Sequence, residues 1–105
     1  MNFTEFAAWV NHRWDTDTKY AGRPREELAI VALGLAGETG ESIEHIKKFL
    51  RGDGDPVNYE KFILEMGDVL HYWMRLVHLI GVSHTEVIEG NLSKLEARDR
   101  AKAAK

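Results

Sequence analysis

The sequence predicts an all-α fold of four helices, the second and third long and antiparallel. Three observations carry this: apolar residues recur at helical spacing along most of the chain, helix-capping residues flank each periodic run, and the breaker GDGDP joins the two longest runs. At 105 residues with 44% hydrophobic content, one compact domain spanning 1–105 is expected.

Asn2 and Glu5 can form a capping box, and Phe3, Phe6, Ala7, Val10 and Trp14 then follow at helical spacing, so the first helix should run to about Trp14. A polar connector without a period follows, from Asp15 to Arg23. Pro24 suits the first turn of the second helix, and Glu26 and Glu27 suit its positive end. Leu28, Val31, Leu35, Ile46 and Phe49 form its apolar stripe, and Gly52 can cap it in the left-handed conformation after Arg51. From about Asn58, Phe62, Met66, Val69, Trp73, Leu76, Val77 and Ile80 mark a third helix that stops at Gly81. Ser83 with Glu86 reads as a second capping box, opening a fourth helix through Val87, Ile88, Leu92 and Leu95 before the charged tail RDRAKAAK.

Composition narrows the function classes. No apolar run approaches the roughly 18 residues of a membrane span, and the first residues lack the order of a signal peptide, so a cytoplasmic protein is expected. Without cysteine there is no disulfide, thiolate metal site or cysteine nucleophile. A formal charge of -3 argues against a nucleic-acid binder that relies on a broad basic surface.

Two acidic pairs stand out, Glu38-x-x-Glu41 in the second helix and Glu65-x-x-Asp68 in the third. Each spacing puts both carboxylates on one helix face. Four carboxylates brought together repel one another and shift each other's pKa, so their natural partner is a hard divalent cation such as magnesium. At about 100° per residue, Glu38 falls inside the apolar stripe and Glu41 on its shoulder, while Glu65 and Asp68 share a shoulder with Tyr72. Gly34, Gly37 and Gly40 also lie inside the second helix, each costing about 1 kcal/mol relative to alanine. Close helix packing would explain them, as would backbone clearance for a ligand beside Glu38 and Glu41.

The segments LGLAGETGE, EMGDVLHYW and NLSKLEARDR, in that order, resemble the MazG-type all-α nucleoside triphosphate pyrophosphohydrolases, whose signature is ExxE followed by ExxD. The resemblance spans about Leu28 to Arg100. It implies an enzyme that splits a nucleoside triphosphate between its α and β phosphates, giving the monophosphate and pyrophosphate. It makes Glu38, Glu41, Glu65 and Asp68 ligands of Mg2+, for which Mn2+ can substitute, with Glu38 or Glu41 also the base. Lys48, Asn91, Lys94 and Arg98 become candidates for phosphate or sugar contacts.

Aromatic side chains are the expected platform for the nucleobase, and Tyr72, Trp9 and His12 are the candidates, with Trp14 beside them; Trp73 points into the core stripe. The substrate should be a nucleotide such as dGTP, dCTP or dUTP, for pool house-cleaning or remodelling. Four modest helices leave apolar faces that a symmetric partner could cover, and the resembling enzymes complete their sites across subunits, so a homodimer or homotetramer is expected.

Two other readings compete. A carboxylate-bridged di-iron protein would use Asp68-x-x-His71, but the second helix has no equivalent, since His45 lies four residues after Glu41, and His71 is expected to point away from the stripe. A non-enzymatic helical interaction module would use the exposed acids and basic tail.

Overall fold

The computed structural model describes residues 1–52 and 58–104, apart from the side chain of His45. It is all-α, with four helices and no strand among the described residues: α1 (Phe3–Thr16), α2 (Pro24–Arg51), α3 (Tyr59–Ile80) and α4 (His84–Ala103). Of the predicted GDGDP break only Gly52 is described, and the rest lies outside the described residues.

Local chemistry sets most of the boundaries. Asn2 Oδ1 accepts from Glu5 N at 2.8 Å while Glu5 Oε1 accepts from Asn2 N at 3.3 Å, which closes the capping box of α1. The helix runs two residues past Trp14 to Thr16, whose hydroxyl donates to the carbonyls of His12 and Arg13 at 2.9 and 3.2 Å. Pro24 opens α2, and Gly52 closes it at φ 81°, a left-handed conformation that suits glycine. Asn58 caps α3 by accepting from Lys61 N at 3.1 Å. Ser83 and Glu86 form the capping box of α4. That helix continues through the tail to Ala103, because arginine, lysine and alanine are strong helix formers and no breaker intervenes.

The central element is α3, which contacts each of the other three helices. Its pairing with α2 is antiparallel: Glu27 meets Arg75, and further along α2 Gly34 meets Tyr72. On its other side Ala7 and Val10 of α1 pack with Met74 into the main core cluster, flanked by Phe6, Trp14, Leu70 and Trp73. Arg75 ties the three helices together. It is 4% exposed, donates from Nε to Glu27 Oε1 at 2.8 Å and from Nη1 to Asn11 Oδ1 at 3.1 Å, and lies 3.0 Å from Asp15 Oδ1.

Not every predicted stripe is buried. Val31 is fully enclosed and Leu28, Leu35 and Ile46 are half-buried, but Phe49 and Ile80, near the ends of their helices, are exposed. Val87, Ile88, Leu92 and Leu95 are all exposed too, since α4 has no buried residue. Among the described residues α4 contacts α1 and α3 but not α2, and it projects as an arm. The radius of gyration is accordingly 17.3 Å, against about 13 Å for a compact domain of similar length. No helix among the described residues is long and apolar enough to cross a membrane.

Candidate active site

The antiparallel register that places Tyr72 against Gly34 sets Glu38 level with Asp68, and Glu41 level with Glu65 one turn further on. Glu38 and Glu65 are half-buried, and the Oε2 of Glu65 is shielded from solvent; Glu41 and Asp68 are exposed. Lys61 Nζ stands 3.9 Å from Glu65 Oε1. The Glu38 carboxyl is held above its usual range, first by burial and then by the charges of Asp68, Glu41 and Glu65. Glu38 therefore senses all three other acids, two of them across the interface between α2 and α3.

These donors are all carboxylate oxygens, the chemistry a hard divalent cation takes, and mutual repulsion is what such a cation would relieve. Their side chains do not form a closed ligand shell. Among the described residues, no group of three or more His, Asp or Glu side chains is arranged to hold a metal ion.

Beside the acids stands an aromatic wall. Tyr72 is half-buried, its ring crossing the α2 backbone at Gly34, and the ring centroid of Trp14 lies 6.2 Å away. Trp14 in turn stacks on Tyr20 at 6.5 Å with an interplanar angle of 26°. Past it opens a cavity of about 270 Å³ whose lining includes Trp14, Asp15, Tyr20, Glu27 and Arg75.

The remaining candidates are spread more widely. Trp9 is 52% exposed and stacks on Phe6 at 6.2 Å, while His12 is exposed. Lys48 is exposed two turns beyond Glu41 on α2. Asn91, Lys94 and Arg98 are exposed on α4, and because α4 does not meet α2 among the described residues, the fold of one chain does not bring them to the acids of that helix. Trp73 packs against the core, in the role its phase predicts.

His71 points away from the stripe that faces α2, as its phase predicts, and it is half-buried because that side of α3 is where α1 packs. Its Nε2 accepts from Trp14 Nε1 at 2.9 Å and lies 3.5 Å from Arg13 Nη1. Burial and then Arg13 lower its pKa, against an opposing pull from Asp68. Of the two histidines the di-iron reading would draw on, His71 has its Nε2 engaged by Trp14, and the side chain of His45 lies outside the described residues. Arg75 and Tyr20 were not candidates from sequence at all; one arginine in a helix and one tyrosine in a connector have no distinguishing period.

The all-α fold thus sets the two acidic pairs at facing levels of antiparallel helices, with aromatic rings alongside. The family model of the MazG nucleotide pyrophosphohydrolase domain matches residues 26–102, and the chain belongs to that family. It is also similar to the Gene 37 protein of Mycobacterium phage L5, with 39% identity over 77 residues that cover 70% of this chain and 67% of the phage protein. No solved structure matches.

Proposed function

We propose that the chain hydrolyses nucleoside triphosphates between the α and β phosphates, releasing the monophosphate and pyrophosphate. The observation that carries this is the match of residues 26–102 to the nucleotide pyrophosphohydrolase domain, with the two acidic pairs at facing levels of α2 and α3. Glu38, Glu41, Glu65 and Asp68 would hold Mg2+, or Mn2+ in its place. Bound there, the cation would offset phosphate charge and lower the pKa of the attacking water.

The chain's own groups do the rest. A water oxygen forms the new bond to phosphorus, the α–β bridging P–O bond breaks, and its electron pair leaves with pyrophosphate. Glu38 or Glu41 takes the water proton. Tyr72 and Trp14 supply stacking faces for the base, within reach of the acids.

Lys48 serves the phosphates from α2. Asn91, Lys94 and Arg98 serve the phosphates or sugar of a site on a second copy, since α4 carries them away from α2 of its own chain. The exposed Val87, Ile88, Leu92 and Leu95 supply the apolar surface on which a homodimer or homotetramer forms. Substrates are drawn from the nucleotide pool, with dGTP, dCTP and dUTP the first to test. A panel of ribo- and deoxynucleoside triphosphates with Mg2+ or Mn2+ checks this by separating pyrophosphate from orthophosphate. Pyrophosphate is expected, and orthophosphate alone would reject α–β cleavage.

A further inference from the structure

Trp14 is held from several sides, and only one of its contacts is directional. Tyr20 stacks on it, the Arg75 guanidinium lies 5.9 Å from its ring and Tyr72 meets it edge-on, but each of these tolerates rotation of the indole in its plane. The hydrogen bond from Trp14 Nε1 to His71 Nε2, at 2.9 Å and partly buried, does not. An indole nitrogen can only donate, so His71 must accept at Nε2, which makes the ring neutral with its proton on Nδ1. The same imidazole stands edge-on to Tyr72, 5.7 Å between centroids at 87°, and edge-on to Trp9 at 6.4 Å. His71 thus touches both rings of the wall that runs from the acid cluster to the cavity.

That cavity has a polarity of its own. Asp15, Asp17, Thr18 and Glu27 contribute oxygen atoms to its lining, and its one guanidinium, on Arg75, is already engaged by Glu27, Asn11 and Asp15. Such a lining repels phosphates and accepts N–H and O–H donors, so it suits the base and sugar end of a nucleotide whose triphosphate lies at the acids. The orientation of Trp14 sets the shape of this end of the site.

We propose that His71 is a positioning residue for nucleotide binding: its Nε2 fixes the Trp14 indole as the wall between the acid cluster and the cavity that takes the nucleobase. The proposal rests on the reading of the chain as a nucleoside triphosphate pyrophosphohydrolase. His71 touches no reacting atom. Its loss weakens substrate and transition state alike, so it raises KM and leaves kcat in place.

The test compares His71→Leu, which removes the acceptor, with His71→Gln, whose Oε1 can stand where Nε2 does. With the best substrate of the nucleotide panel, His71→Leu is expected to raise KM about five- to tenfold, the effect of one lost hydrogen bond, with kcat within about twofold. His71→Gln is expected to recover most of the KM. Without substrate, the Trp14 indole N–H, assigned through Trp14→Phe, should exchange slowly with solvent in wild type and His71→Gln and fast in His71→Leu.

An unchanged KM in His71→Leu overturns the proposal, as do equal defects in the two variants, which would reveal packing in place of hydrogen bonding. A fast-exchanging Trp14 indole in wild type overturns it at the level of the bond. Wild-type protein that cleaves none of the nucleotides refutes the underlying enzymatic reading, and the proposal falls with it.

Discussion

The ring of Tyr72 lies so close to Gly34 that a methyl group on that backbone would stand 2.5 Å from Cε1 and 2.7 Å from Cζ. Glycine is therefore required there by the contact between α2 and α3, and the usual gain from alanine in a helix is reversed. Gly34→Ala is expected to destabilise the chain by about 1–3 kcal/mol through overpacking. Gly37 and Gly40 have open space above them, so alanine at either should stabilise by up to about 1 kcal/mol. Thermal melts check both signs. Activity lost in the variants that gain stability would mean that this space serves substrate.

Arg75 predicts the largest stability effect. Its removal leaves the Glu27 side chain, 14% exposed, without its guanidinium partner, and Arg75→Ala should cost about 3–5 kcal/mol in urea unfolding. Arg75→Lys should recover little, because one ammonium cannot span Glu27, Asn11 and Asp15 as the planar fork does.

The acid cluster gives a pH dependence of definite sign. Glu38 has a raised pKa in the folded chain, so the folded state holds its proton more tightly than the unfolded state does. The corresponding stability is fully present below the usual value of 4.5 and is lost as pH rises through the folded value. In chelator, Glu38→Gln should therefore raise Tm at neutral pH and flatten the pH profile of Tm across that interval. Added Mg2+ should raise the Tm of wild type more than that of the variant.

Glu41 and Asp68 separate chemistry from folding. Both are exposed, so Glu41→Gln and Asp68→Asn should change stability by no more than about 0.5 kcal/mol while turnover collapses. Circular dichroism and the pyrophosphate assay measure the two halves.

The apolar surface of α4 predicts the state of assembly. Ile88→Asp with Leu92→Asp should leave the helical content intact, since both residues are exposed in the single chain, and should shift the protein to monomer in light scattering. Retention of the wild-type mass would remove α4 from the interface.

How much could be read beforehand depended on how local the determinants are. The caps at Asn2, Gly52, Gly81 and Ser83 are decided within a few residues, and they set helix ends where sequence places them. The acid pairs were legible because their spacing is helical and their neighbours are apolar. The direction of His71 was legible from helical phase, but its burial against Trp14 was not, because α3 packs on more than one side. Arg75 escaped for a related reason: its partners are 48 and 64 residues away, and nothing near it in the chain encodes them.

The arm formed by α4 would make catalysis collective under the proposed sharing of sites between copies. If Asn91, Lys94 and Arg98 work only at a neighbour's acids, two crippled proteins, one lacking Glu41 and one lacking Lys94, can mend each other on mixing. Each hybrid pair would then contain one site with every group intact. Specific activity would fall on dilution, and the amount of protein in the cell would act as a switch on the reaction.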